Sequence, residues 1–280
     1  MKSSFKKRLR EALKGILNEI EIKFLPSGFQ QIGTIVILNL KNQLWNRKDV
    51  IAEAVQNIVS NCDAVCLNKG AIYSQFRTPQ IELVIGESTE TIHKEHGTLY
   101  KLDVSKIMFA KGNINERKRY PKLVKNEIIF DFFSGVGYFC LNIARLANPK
   151  RIYAFEMNPI AYHYLVENIK INKVSDKIKP ILGDCKTEAL KIKEKADRII
   201  MGLLPSPKDA LPTAFQVINP KKSIIHYEGL LNDSDPPEKL LEDVSIIGKE
   251  FNKKTKLEHV EFIKSYRPHV NHVCLDILVN

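Results

Sequence analysis

The hydrophobic positions of this chain change their period along its length, and the change divides it in two. Residues 5–19 place Phe5, Leu9, Leu13, Ile16 and Leu17 at helical spacing with lysines and arginines opposite, which predicts a surface helix with a solvated basic face. The β-branched run Gly33–Leu40 predicts a buried strand, and Arg47–Val59 returns to helical periodicity. Residues 64–86 predict strands around Lys69-Gly70 and the Arg77-x-Pro79 turn, ending in Ile81–Ile85, and Glu90–Leu102 has the pattern of a hairpin. A small α+β domain over residues 1–102 follows from these elements. Lys69 and Arg77 are its candidate phosphate contacts.

Beyond a basic stretch at 103–120 the pattern alternates regularly. Strand-length apolar runs fall at Ile128–Phe133, Arg151–Glu156, Ile178–Leu182, Arg198–Met201 and Ser223–His226. Helical segments fall at Tyr138–Leu146, Ile160–Asn172, Thr187–Lys191, Lys208–Val217 and Pro237–Phe251. Crossovers of helical length join parallel neighbours, so residues 121–280 are expected to form an α/β, Rossmann-like doubly wound sheet. Leu257–Val270 and Asn271–Val279 predict two last strands around a proline-containing turn.

Candidate chemistry concentrates in Asn126–Cys140, NEIIFDFFSGVGYFC, a strand that ends in an acid and runs through Ser134, Gly135 and Gly137 into a helix. Glycines there permit positive φ and close approach of a ligand to a helix start. Two further strands end in acids, RIYAFE at Glu156 and PILGD at Asp184. In a parallel sheet Asp131, Glu156 and Asp184 then share the carboxyl edge where ligands bind, the second acid falling roughly 20–25 residues after the glycine turn, in reach of ribose hydroxyls. A dinucleotide site is the first alternative, but no third glycine completes G-x-G-x-x-G, and Tyr138 and Phe139 stand at the helix start. The pattern is that of class I S-adenosylmethionine-dependent transferases, with Asp131 near the amino-acid end, Glu156 on the ribose and Asp184 near the adenine amino group.

Composition narrows the function classes. The chain has 280 residues, 44% of them hydrophobic, enough for a substantial core. Its formal charge of +11 favours a polyanionic partner, because cations that neutralise phosphates gain from counterion release. In residues 103–120, DVSKIMFAKGNINERKRY, the cations Lys106, Lys111, Arg117, Lys118 and Arg119 interleave with Phe109, a composition suited to a nucleic-acid backbone and a stacked base. The five cysteines are scattered and complete no zinc set, so no metal is expected, and their odd count fits reduced thiols in a cytoplasmic protein. No signal-peptide core or apolar membrane span is present, so no membrane association is expected.

A family resemblance rests on longer stretches: IGTIVILNL at 32–40, KGAIYSQFRTP at 69–79, KLDVSKIMFAKGNINER at 101–117, DFFSGVGYF at 131–139, AFEMNPIAYHYLVENIKINKV at 154–174, ADRIIMGLLPS at 196–206, IIHYEG at 224–229 and YRPHVNHVCLDI at 266–277. Together they resemble the tRNA (guanine-N1) methyltransferases that act 3′ to the anticodon and their relatives, the wybutosine-synthesis 3-amino-3-carboxypropyl transferases. The resemblance begins at the second domain of the methyltransferases, whose small leading RNA-binding domain is expected to be missing. The methyltransferases typically read Asn-Leu-Pro after the fourth strand, the asparagine holding the target guanine; here Gly202 takes that place, as in the aminocarboxypropyl branch.

The resemblance implies transfer of the aminocarboxypropyl group of S-adenosylmethionine to the side-ring carbon of 4-demethylwyosine in phenylalanine tRNA, at the anticodon loop, with methylthioadenosine released. The alternative is N1-methylation of guanosine at the same tRNA position, and a third reading, a non-catalytic tRNA-binding relative, is disfavoured because all three cofactor acids are present. The expected cofactor contacts are Lys106, Phe109, Asp131, Ser134, Gly135, Gly137, Glu156, Met157, Asp184, Cys185 and Gly202. His226 is expected to position the base or take a proton, and Arg117 to stabilise charge developing on the base. Tyr266, Arg267 and His272 match the family's final hairpin, with a structural role; a monomer is expected.

Overall fold

The protein, seen here as a computed structural model, is described for residues 4–109 and 111–280, the side chain of Lys111 excepted. It separates into two compact units, Met1–Phe109 and Ala110–Asn280.

In the first unit the helix expected over residues 5–19 stops at Ala12, and a second begins only at Glu19. Helix α1 (Phe5–Ala12) starts at Ser4, whose hydroxyl accepts the Lys7 N–H, and ends where Gly15 turns the chain at φ +80°. Helix α2 (Glu19–Lys23) begins anew with a capping box, Asn18 accepting from the N–H groups of Ile20 and Glu21 while Glu21 accepts the Asn18 N–H. Leu9, Leu13 and Leu17 are nevertheless all buried, so the apolar spacing identified the core side and missed the break. Strands β1 (Gln30–Ile32) and β2 (Ile35–Leu38), helix α3 (Lys48–Ile58), and strands β3 (Ala64–Tyr73) and β4 (Thr78–Ile85) follow. The four strands form one sheet in chain order, with β2 and β3 parallel across α3 and the other pairs antiparallel. Ile51, Ala52 and Val55 on α3 pack with Leu9, Val36 and Leu67. Strands β5 (Glu90–Glu95) and β6 (Thr98–Asp103) pair as the expected hairpin.

The second unit opens with α4 (Ile114–Leu123), a helix inside the stretch expected to be a basic connector. Residues 103–120 therefore divide between the two units. Helix α4 forms because Tyr120, Glu116 and Arg117 have buried places to go, with Tyr120 against Phe139 at 5.1 Å between ring centroids. Then come β7 (Ile128–Asp131), α5 (Cys140–Leu146), β8 (Arg151–Glu156), α6 (Pro159–Ile171), β9 (Ile178–Leu182), α7 (Cys185–Glu188), β10 (Arg198–Met201), α8 (Leu211–Val217), β11 (Ser223–Asn232), α9 (Glu238–Glu250), β12 (Thr255–Arg267) and β13 (Val270–Val279).

Its seven strands run β12-β13-β11-β10-β7-β8-β9, parallel from β11 to β9, with β13 inserted antiparallel between β11 and β12. The expected α/β doubly wound sheet is present. Its strands read as continuous apolar runs because both faces are covered. Phe130, Phe132, Phe155, Ile199, Met201, Ile225 and Leu275 share one core, each contributing about 1.5–3 kcal/mol by burial. The chain order reverses between β7 and β10, which puts the topological switch point, and the ligand crevice of such sheets, at the carboxyl ends of those two strands.

Candidate active site

Strand β7 ends at Asp131, which lies in register with Ala154 of β8 on one side and Ile200 of β10 on the other. The Asp131 side chain is wholly buried, and neither carboxylate oxygen has a hydrogen-bond partner among the described residues; the Ser134 hydroxyl donates instead to the Asp131 backbone carbonyl at 2.9 Å. Burial pushes this carboxyl up to about 7, offset in part by the neighbouring Ser134 and Cys140 side chains. A buried unpaired acid is costly to keep, so its retention here points to a cationic or N–H partner supplied by a ligand.

The turn after it is built by its glycines. Gly135 has φ +55° and Gly137 φ +99°; a Cβ on the first would meet the Tyr138 ring at 2.4 Å and on the second the Leu141 side chain at 2.6 Å. Glu156, at the end of β8, braces the turn from the neighbouring strand, one oxygen accepting the Gly135 N–H at 2.8 Å and the other the Asn158 N–H at 2.7 Å. Burial raises its pKa, with the Asn158 and Gly135 N–H bonds opposing. Its carboxylate lone pairs outnumber these two donors, which leaves acceptor capacity for ribose hydroxyls. Met157 beside it is 44% exposed, an apolar surface next to the carboxyl edge. Asp184 caps α7 by accepting the Lys186 N–H at 2.9 Å, and its other oxygen lies 3.6 Å from the Lys186 ammonium. The structure thus sets all three acids on strands or turns of one carboxyl edge.

Cys185 and Cys140 are buried, and burial raises both thiols well above the ordinary range, so both are protonated packing groups. Lys106 and Phe109 belong to the first unit. Lys106 pairs with Asp103 at 3.2 Å, and Phe109 is buried edge-on to His93 and Tyr100. The Lys111 side chain lies outside the described residues.

Gly202 follows β10. A Cβ there would approach the Phe139 ring to 2.8 Å, and Phe139 is itself buried, so glycine is demanded by packing at this point.

One sequence expectation needs correction. His226 is wholly buried with both ring nitrogens engaged: Nδ1 faces Asp276 Oδ1 at 2.6 Å and Nε2 faces Arg198 Nη1 at 2.6 Å. Arginine can only donate, so Nε2 accepts and Nδ1–H donates to Asp276, which fixes a neutral ring; burial lowers its pKa in the same sense. It has no nitrogen left for a substrate proton. Arg117, expected to stabilise charge on the base, is a buried residue of α4, 1% exposed. Of the final-hairpin residues, His272 is buried whereas Tyr266 and Arg267 are exposed.

Sequence reasoning missed Glu228. It sits on β11 beside Gly202, is buried, and accepts from His272 Nε2 at 2.9 Å. Its signal was present: it lies on a parallel strand two residues past His226 in the row shared with Ile200, Asp131 and Ala154, as Glu156 lies two residues past Ala154.

Comparison with known proteins agrees with this geometry. Residues 91–258 match the family model described as the TRM5/TYW2 methyltransferase domain, and residues 9–89 that of the TYW2 N-terminal domain. The chain belongs to the TRM5/TYW2 family. A tRNA(Phe) (4-demethylwyosine(37)-C(7)) aminocarboxypropyltransferase of Methanocaldococcus jannaschii is 40% identical over 249 residues, 89% of this chain and 96% of the relative. The Pyrococcus abyssi tRNA (guanine(37)-N(1))-methyltransferase Trm5b is 35% identical over 260 residues, 92% of this chain and 76% of that one. The solved structure of P. horikoshii TYW2 in complex with MeSAdo superimposes with a TM-score of 0.85 at 33% identity, covering 98% of this chain and 99% of that one. The N-terminal family match, and the larger share of the relative that is covered, lie on the TYW2 side.

Proposed function

We propose that this protein transfers the 3-amino-3-carboxypropyl group of S-adenosylmethionine to 4-demethylwyosine in tRNA(Phe), 3′ to the anticodon. The observation that carries the choice of branch is Gly202. At the place where the methyltransferase branch typically has an asparagine for its target guanine, this chain has no side chain, and Phe139 occupies the space that one would need. S-adenosylmethionine supplies the sulfonium-activated carbon that the base attacks, with methylthioadenosine as the leaving group.

The chain's own residues bind and orient. Ionised Asp131 takes the cationic end of the cofactor, the Ser134-Gly135-Gly137 turn lets the backbone come close, Glu156 accepts from the ribose hydroxyls, and Asp184, with Met157 and Cys185 nearby, receives the adenine. Catalysis then rests on proximity and orientation, and the protonated thiols take no covalent part. The formal charge of +11 supports tRNA as the macromolecular partner.

No helix among the described residues is long and apolar enough to cross a membrane. Five free cysteines fit a reducing, cytoplasmic setting, and we take the protein to act as a monomer without a metal, which light scattering and activity in chelator would test.

The deciding experiment supplies S-adenosylmethionine labelled separately in its methyl and carboxyl groups, with tRNA(Phe) carrying either guanosine or the tricyclic precursor. Carboxyl label on the tricyclic base, with methylthioadenosine released, is the expected result. Methyl label on guanosine would place the chain in the methyltransferase branch.

A further inference from the structure

Gly202 carries no side chain, yet polar chemistry stands beside it. A Cβ at that position would lie 3.5 Å from Glu228 Oε1. Glu228 reaches there from β11, where it is 1% exposed, and its two oxygens are unequally served. Oε2 accepts a 2.9 Å bond from His272 Nε2, whereas Asn113 Nδ2 stands 3.4 Å from Oε1 and 3.3 Å from Oε2, both at the long limit of a hydrogen bond.

A buried carboxylate has about four lone-pair directions and is normally held by several close donors. Asp276, two rows away on β13, shows what full service looks like, with His226 and two guanidinium nitrogens of Arg119 on its oxygens. Glu228 Oε1 has one long hydrogen-bond contact among the described residues. His272 is similar in being left half-used: it is 1% exposed, its Nε2 holds Glu228, and its Nδ1 is buried with no hydrogen-bond partner. A histidine kept only for packing would be expected to engage both nitrogens, as His226 does.

We propose that Glu228 contacts the acceptor base, its Oε1 accepting a hydrogen bond from a ring N–H of the guanosine-derived nucleobase. It thereby supplies from the fifth parallel strand the polar group that Gly202 does not supply from the fourth. His272 is a positioning residue: its Nε2–H fixes the rotamer of Glu228 so that Oε1 stays beside the glycine. The inference rests on the transfer proposed above, because it takes the tRNA base as the ligand.

The test compares Glu228→Gln, Glu228→Asp and His272→Gln with the unaltered full chain in two measurements: S-adenosylmethionine affinity by equilibrium dialysis, and single-turnover label transfer to precursor tRNA(Phe). Removing a hydrogen bond to a charged group predicts about a 10- to 150-fold loss of transfer in Glu228→Gln. S-adenosylmethionine affinity should stay within about twofold, since uniform loss of cofactor binding is a different defect. Glu228→Asp keeps the charge and withdraws the oxygen by one methylene, so it should lose transfer too, and it serves if the glutamine variant fails to fold. The double variant of Glu228→Gln and His272→Gln should lose no more than Glu228→Gln alone, as expected when one residue acts through the other.

Unchanged transfer in folded Glu228→Gln would overturn the proposal and make the pair a packing device. Cofactor affinity falling in step with transfer would also overturn it, by moving Glu228 to the cofactor's amino-acid arm. The unaltered chain reports separately on the reaction itself: if it moves methyl label, the aminocarboxypropyl reading fails while the Glu228 comparison is still read on methyl transfer.

Discussion

Two groups of buried charge lie in the same sheet, and they are arranged in opposite ways. Beneath β11 and β13, Asp276 accepts from His226 and Arg119, Arg119 also grips Glu116 at 2.7–2.8 Å, and Arg198 joins His226 to Glu127. Each of these charges has an opposite charge or a donor on it. Even so close a set as His226, Cys274 and Asp276, whose ligand-type atoms lie within 4.8 Å of one another, is occupied by arginines on either side. At the end of β7, neither Asp131 carboxylate oxygen has a hydrogen-bond partner or an opposite charge among the described residues. Both groups are buried and both contain family-typical residues, so burial alone does not separate scaffold from site. Partner accounting does: a satisfied network holds the fold together, and an orphaned acid awaits a ligand.

The sharpest way to break this contrast is to remove one member from each group. Asp276→Ala takes one of two carboxylates from Arg119 and leaves the buried His226 Nδ1–H without an acceptor, and should cost about 3–5 kcal/mol, read as a fall in Tm of roughly 10 °C or more for a unit of this size. A loss below about 1 kcal/mol would mean that the network is decorative. Asp131→Asn should do the reverse. S-adenosylmethionine affinity falls about 10- to 150-fold, by calorimetry or dialysis, while Tm holds or rises because an unpaired buried acid is gone. If Asp131→Asn instead unfolds the protein with cofactor affinity intact, the acid belongs to the scaffold.

The sequence carried one group far better than the other, for a physical reason. Asp131, Glu156 and Asp184 each mark the end of a strand, and three strand ends in a parallel sheet must meet at one edge, so their association needs no knowledge of distant contacts. The network is knit across long separations: 50 residues between His226 and Asp276, 28 between Arg198 and His226, 157 between Arg119 and Asp276. Nothing local to His226 announces that both its nitrogens will be taken, and nothing local to Arg117 announces that α4 will bury it. Gly202 was legible as a missing side chain, but not as a position closed by Phe139, and Glu228 was passed over because its pairing with His272 spans 44 residues.

A smaller effect follows from the carboxyl of Asp131 being pushed up to about 7. This value lies above that of an acid in the unfolded chain, so the folded protein holds the extra proton between about pH 4 and pH 7. Stability from this group is therefore greatest at low pH and falls as pH rises through that window, opposite to a salt-bridged acid. If the ionised form holds the cationic end of the cofactor, as proposed, affinity should rise up to about tenfold from pH 6 to pH 8, with proton release on binding near pH 6 seen in buffers of different ionisation enthalpy. Asp276, whose pKa is driven down against burial by the hydrogen bonds of His226 and Arg119, gives the contrary slope: its stabilisation is present above the acid's ordinary range and is lost only in strong acid. An Asp131→Asn variant that keeps the pH-dependent affinity would transfer that titration to another group, Glu156 being next.

The smallest effect tests the exposed charge that neither buried group involves. Lys106 is 55% exposed and pairs with Asp103 across 3.2 Å, and such surface pairs contribute well under about 1 kcal/mol. Lys106→Ala should leave Tm nearly unchanged. If Lys106 neutralises a tRNA phosphate, the same variant weakens tRNA binding in a sequence-independent way and lowers the salt slope by about one. Arg117, buried in α4, is the internal control: its replacement should lower Tm before it alters the salt slope, whereas a changed slope in a fully folded Arg117 variant would show that α4 opens to the RNA.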